Sequence, residues 1–448
     1  MHTLLPSRPD SGSPIYVLAD LSYRTLATAL LALVLAAAHR PAPAAGIPEP
    51  GALSVSDRST HAAPADSIWL NLRVYPLAVW GPRAGFGGGA GLVVHNPVGT
   101  GTQALFTVAP ARHDQSGTVT LATTGDVNTA RRFALLDARI RHTDRQWFYG
   151  LGPASSEENR ATLDLWSWNV RLRSGLRFWD RRLLVQPHVR VTQFRSNSLE
   201  SRPASRAPDG SDHLADLSGP DGILADDLTG IVVGTDAAVD TRDRASAPVR
   251  GLLVRGSAER FTGFDAGDPT FDRFSGEIGG WVPFGGRHRI ALSASAQLTR
   301  KRSGAVVPFF LRSSLDGSRI PGYARDRFVD NDRFVAGALY RFPLYEYGNV
   351  FAVEGHVGVH AGSVYRDLFD QFDLSVSLDD SPVSRNRANE PVPLRPAVSA
   401  GIRAGPLFRD QSFLDLAIGL SPEGVSGVRF TFVQPLTPLR QAHHRDWF

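Results

Sequence analysis

The chain is predicted to be all-β, a transmembrane antiparallel β-barrel of about sixteen strands, and three features of its 448 residues carry that prediction. From about Trp69 onward, apolar residues recur at every second position in segments about ten residues long, as in a strand with lipid on one side and a wet lumen on the other. In the clearest segment the polar side carries arginines, which the inner face of a small soluble sandwich would exclude. Beyond Ala38 no stretch approaches the roughly twenty apolar residues of a spanning helix. A bilayer-embedded chain is then left with a closed sheet to satisfy its backbone.

Along the chain, the apolar run Thr25–Ala38 follows Arg24 and leads into Ala42-Pro43-Ala44-Ala45. It is too short to span, and its positive flank and small-residue exit mark 1–45 as a signal peptide, with an over-extended start. Residues 46–66, rich in Pro, Ser, Ala and Asp, are expected to form a periplasmic linker with no room for a folded domain ahead of the first strand. The barrel is expected over 67–436, and 437–448 form a tail.

In 163–178, Trp166, Trp168, Val170, Leu172, Leu176 and Phe178 share one face, while Ser167, Asn169, Arg171, Arg173, Gly175 and Arg177 share the other. In 185–192, Val185, Pro187, Val189 and Val191 alternate with Gln186, His188, Arg190 and Thr192. Pro187 lacks the ladder donor and belongs at a bulge or strand end. In 351–362, Phe351, Val353, Val357 and Val359 oppose Glu354, His356, Gly358, His360 and Gly362, and 414–421 alternates in the same way. Weaker strands are expected at 69–79, 86–95, 102–111, 116–124, 132–142, 228–238, 250–261, 271–283, 288–299, 332–344, 396–405 and 426–434. Trp80, Trp147, Trp179, Trp281 and Tyr340 near strand ends suit interfacial girdles. The polar segments 196–227, 300–331 and 366–393 are expected outside the membrane or folded into the lumen.

Composition narrows function chiefly by exclusion. With no cysteine there is no disulfide, Cys-ligated metal or Cys nucleophile, and a net charge of +4 over this length argues against nucleic-acid binding. No G-x-S-x-G, H-E-x-x-H or P-loop pattern is present, and no enzyme activity or cofactor is expected. His356 and His360 lie at i and i+4 on a strand, about 13 Å apart, too far to share one zinc. The carboxylates between Asp209 and Asp227 lack the spacing of a calcium loop.

Several motifs, in order, resemble the barrel of the bacterial surface-antigen superfamily of outer-membrane assembly factors (BamA/TamA-like). They begin with the glycine-rich strand Gly85-Phe86-Gly87-Gly88-Gly89-Ala90-Gly91 and the aromatic-glycine segment Trp147-Phe148-Tyr149-Gly150-Leu151-Gly152-Pro153. Next come Gly317-Ser318-Arg319-Ile320-Pro321-Gly322-Tyr323, ahead of Arg325, at the tip of the long sixth external loop, and Ala338-Leu339-Tyr340-Arg341-Phe342-Pro343-Leu344. The turn Ser421-Pro422-Glu423-Gly424 precedes a last-strand signal in Gly427, Phe430 and Phe432.

The resemblance implies an inward-folded sixth loop, a place in the outer membrane of a Gram-negative bacterium, outer-membrane lipid as surroundings and the barrel assembly machinery as partner during biogenesis. Family members pair a loop-tip arginine with an aspartate in a later strand; here Pro321 and His360 occupy those positions, so a replacement contact is expected from Arg319 or Arg325 to Glu354. POTRA modules, which receive clients in the family, are not legible ahead of residue 67, and a client-handling role would call on a separate periplasmic partner. Assistance to protein insertion or transport is the leading expectation. A passive pore favouring anions through Arg171, Arg173, Arg177 and Arg190, or a structural or adhesive surface protein, is the alternative.

Overall fold

A computed structural model describes residues 71–432, apart from 82–84, 125–126, 128–129, 156–159, 202–226, 244–247, 316–318, 349, 379–389 and 407–413. The expected signal peptide, linker, tail and acidic run after Asp209 thus fall wholly or mostly outside the described residues. The first half contributes β1 (Asn71–Gly81), β2 (Gly85–His95), β3 (Gln103–Pro110), β4 (Asp114–Ala122), β5 (Arg132–Phe148), β6 (Ala161–Phe178), β7 (Leu183–Ser201) and β8 (Asp227–Asp240). The second contributes β9 (Gly251–Gly263), β10 (Thr270–Pro283), β11 (Arg289–Ser303), the short β12 (Ser313–Leu315) and β13 (Phe328–Asp330), β14 (Asp332–Tyr347) and β15 (Phe351–Tyr365). A one-turn helix α1 (Leu368–Gln371) leads into β16 (Phe372–Val376), then β17 (Val392–Pro406), β18 (Leu414–Ser421) and β19 (Gly424–Phe432).

Among the described residues seventeen strands form one sheet, in which β16 is a short parallel addition to β17, so the antiparallel meander described has sixteen. Each long strand pairs with the next from β1 to β11, and then through β14, β15, β17, β18 and β19. Each strand segment expected from alternation has its counterpart there. Pro187 sits where the β6–β7 ladder lapses between Arg173↔His188 and Leu176↔Val185, consistent with its missing donor. Cα atoms of β1 and β19 approach within 8 Å. An up-and-down meander sends alternate connections to opposite ends, so the strand ends that lead from β7 to β8, from β11 to β14 and from β15 to β17 lie at one end, here called the loop end.

Polarity is distributed inside out relative to a water-soluble sheet. Val254, Leu292, Val359 and Ile418 are exposed along one face of their strands, whereas Asp137, Arg173, His188, Arg289, Arg341 and His356 are buried on the other. Apolar groups turned outward lose nothing in hydrocarbon, while inward charges demand partners. Arg173 donates to Asp137 (2.6 and 3.1 Å), which also accepts Thr120 (3.0 Å), and Arg171 reaches Asp236 (3.2 Å).

One expectation needs correction and one is narrowed. Trp281 is no girdle residue: it is buried with Leu253, Ala291 and Leu339 and lies beneath Arg242, whose guanidinium carbon is 5.5 Å from a Trp281 ring centroid. Of the two placements expected for 366–393, the described part is not folded inward; it covers the outward face of the sheet. Leu368 and Val392 pack with Leu298 and Phe334, on the outward face.

Candidate functional site

The inner face changes character with height. Toward the loop end, Leu163 of β6, Phe261 of β9, Phe271 of β10 and Val335 of β14 replace the charged groups found lower down, which makes an apolar seat for the 304–331 connection, loop 6. Loop 6 reaches both walls. On one side a 3-10 turn at Phe309–Leu311 packs Phe309 against Phe148 (4.6 Å between centroids) and Phe310 against Phe194 (5.0 Å), both rings tilted, and the Leu311 carbonyl accepts from Arg273. On the other, Leu315, Ile320, Tyr323 and Phe328 pack with Val335, Val364 and Ala397. The hairpin β12–β13 joins the two arms.

The tip lies on backbone rather than on side chains. Gly322, at φ +112°, sits so close to β18 that a Cβ there would meet the Leu420 carbonyl carbon at 2.7 Å, and a Cβ on Gly419 would meet Gly322 N at 2.2 Å. Ser421 Oγ donates to the Gly322 carbonyl (2.8 Å), and the Tyr323 hydroxyl donates to the Pro396 carbonyl (3.1 Å). Burial pushes the Tyr323 hydroxyl up to about 12, so it stays a donor at any physiological pH.

The main polar tie is Arg327, which sequence reading missed. Its Nε donates to Glu423 Oε2 (2.9 Å) and its Nη2 lies 2.7 Å from Oε1, a two-pronged contact; Nη1 donates to the Ser155 carbonyl (2.9 Å). Arg327 and Arg395 flank the Phe328 ring at 4.4 and 4.2 Å, and Arg395 also donates to the Pro153 carbonyl (2.6 Å). Gly152 N donates to the Val329 carbonyl (2.8 Å), so the aromatic-glycine segment, loop 6 and the β18–β19 turn are bound into one knot.

The sequence-picked residues are only partly brought together. Pro321, Gly322 and Tyr323 are at the tip contact, Arg319 is half-buried nearby and Arg325 is exposed. Glu354 is not met by Arg319 or Arg325; it is bonded by Arg289 of β11, and the replacement ion pair is Arg327 with Glu423. His356 lies 4.0 Å from Asp415, His360 bonds Ser399 (3.1 Å), and Arg177 donates to the Val127 carbonyl (3.1 Å). Gly427, Phe430 and Phe432 lie on β19, where Phe430 is opposite Leu416 and Phe432 opposite Leu414. Among the described residues no group of His, Asp and Glu is placed to hold a metal. Glu354→Gln is therefore expected to leave tryptic cleavage of loop 6 in membranes unchanged, because its partner is on the wall; faster cleavage would mean that Glu354 helps to hold the loop.

An inside-out antiparallel sheet with a long connection seated against its inward face is the architecture of an outer-membrane protein that crosses the bilayer with strands. The Omp85 superfamily domain matches residues 155–384, more than half of the chain, and the chain belongs to that superfamily. Its fold is similar to that of BamA from Haemophilus ducreyi lacking POTRA domains 1-3, at a TM-score of 0.53 and 14% identity over 81% of this chain and 69% of that one. CdiB from Escherichia coli aligns at a TM-score of 0.48 and 13% identity, over 81% of this chain and 60% of that one. This chain thus spans about three fifths of that structure. Among curated proteins there is no match.

Proposed function

We propose that residues 67–436 close into an outer-membrane barrel, delivered by a signal peptide at 1–45 and preceded by a linker at 46–66, whose lumen is shut by loop 6 and which assists protein insertion or transport. A separate periplasmic protein would present the client, and the barrel assembly machinery would insert this chain. The observation that carries this reading is the two-sided seating of loop 6, with Phe309 on Phe148 at one wall and Tyr323 on Pro396 at the other. A constitutive pore has no use for such a plug. An anion-favouring lumen is also disfavoured because Arg171 and Arg173 are neutralised by Asp236 and Asp137.

Planar-bilayer recording tests it. The purified protein is expected to be closed most of the time, with rare large openings that become frequent in Arg327→Gln. A steady anion-selective current from the unaltered protein would replace this reading with the passive pore. Absence of any current, together with an intact envelope on deletion of the gene, would favour a structural surface role.

A further inference from the structure

The segment after β15 leaves the loop end without entering the plug. α1 and β16 fold over the outward face: Tyr365, Leu368 and Val392 are buried together against Ala296, Leu298 and Phe334, and the Phe372 ring meets Phe334 at 5.2 Å. The segment is fixed rather than loosely draped. Asp332, fully buried, accepts from Arg300 Nη1 (2.7 Å), Thr299 N (2.9 Å) and Leu368 N (2.9 Å), which ties the start of α1 to β11 and β14.

On this fixed support most of the exposed side chains are apolar, with Asp370 and Ser375 the exceptions. Phe369, Leu374 and Leu378 are 74%, 72% and 77% exposed. Phe372, Leu374, Val376 and Leu378 recur at every second residue, with Asp373, Ser375 and Ser377 between them. The surface beneath is the outward face that carries the exposed Ile290, Leu292, Val357 and Val359. Register places Ala296 opposite Phe334 and Leu292 opposite Ala338, so the seat stands four residues, about 13 Å, above that lower row. On β11 the outward run ends at Arg300 and Arg302, and the Arg300 guanidinium lies 5.8 Å from the Phe369 ring centre, a charge at the upper boundary of the apolar belt.

We propose that α1 and β16 form a lipid seat, a ledge that enters the outer leaflet with Phe369, Leu374, Val376 and Leu378 among the acyl chains. The ledge extends the lipid-facing surface outward from β11, β14 and β15. Arg300 is satisfied by Asp332, and the ledge's own acidic side chains, Asp370 and Asp373 (which accepts from Ser375 N at 2.9 Å), are to be met at the headgroup level beside the apolar ones. A protein-docking surface of equal apolarity would be expected to stand clear of the lipid belt, whereas this one is continuous with it. The proposal rests on the outer-membrane placement proposed above for residues 67–436, with the loop end toward the cell exterior.

The chain has no cysteine, so single-cysteine variants carry one spin label each. Labels would be placed at Leu374→Cys, Leu378→Cys, Ser375→Cys and Val359→Cys in phospholipid vesicles, and exposure to oxygen compared with exposure to a water-soluble nickel chelate. The oxygen-to-nickel ratio at 374 and 378 is expected to approach that at 359 and to exceed that at 375 by about tenfold. If 359 reports lipid but 374 and 378 report water, the ledge faces solvent and the lipid seat is wrong while the barrel stands. If 359 also reports water, the membrane reading itself fails.

Discussion

Arg327→Gln is expected to destabilise the seated loop by about 3 kcal/mol, because it takes from the buried Glu423 the guanidinium that forks onto both of its oxygens. The pair is secluded: the side chains of Arg327 and Glu423 are 5% and 13% exposed, and the two nitrogens that face Glu423 lie 2.7 and 2.9 Å from its oxygens. Lysine cannot reproduce that fork, nor can it reach Ser155 with a third nitrogen, so Arg327→Lys should recover only part of the loss. Glu423→Gln keeps a neutral acceptor and should cost less than Arg327→Gln. Two measurements check this: tryptic cleavage of loop 6 in membranes, expected to accelerate by about a hundredfold on the same energy scale, and the frequency of openings in bilayers. If Arg327→Gln and Glu423→Gln each leave cleavage at the wild-type rate, the knot does not hold the loop.

The strands were readable in the sequence because a membrane sheet writes its two solvents into alternate positions, and Trp166 to Phe178 shows it without interruption except at Ser174. The same rule hid the plug seat. Leu163 and Leu165 face inward, on the face that alternation gives to polar groups, and alternation alone does not mark them as the bed of a loop. Motif order located the tip at Pro321 to Tyr323 and the turn at Ser421 to Gly424, and both come together in space. Pairing was beyond reach: Arg327 is 96 residues from Glu423 and 172 from Ser155, and alternation says nothing about which charge meets which. Glu354 was chosen as the partner because it faces the lumen, but it lies near the start of β15, at the end opposite the loop, where Arg289 is opposite Arg341 and beside it. The ledge was missed for a related reason: Asp370, Asp373 and Ser375 make its composition look like a solvated loop, and only its position shows the apolar side.

Gly419→Val should lift the tip off the wall. Along β18 the inward residues run Asp415, Ala417, Gly419, Ser421, while Ile418 and Leu420 face outward, and small side chains at the loop end leave the bed in which Pro321 and Gly322 lie. A Cβ on Gly419 would stand 2.2 Å from Gly322 N and 2.3 Å from the Pro321 carbonyl carbon, both backbone atoms that no rotamer change can move aside. Overpacking of this kind typically costs about 1–3 kcal/mol, and displacement of the tip also removes the Ser421–Gly322 and Tyr323–Pro396 hydrogen bonds at about 1 kcal/mol each. Gly276→Val is the matched control, since a Cβ at that exposed position of β10 meets nothing within 4 Å. Trypsin is expected to cut at Arg319 and Arg325 faster in Gly419→Val and at the unaltered rate in Gly276→Val, with the heat-dependent gel shift of a folded barrel kept in both. Because the tip and Arg327 grip the same loop from neighbouring points, Gly419→Val combined with Arg327→Gln should open the lumen less than the sum of the two single effects. Strict additivity would mean that the tip and the Arg327 knot release independently, and loop 6 would then be two latches rather than one.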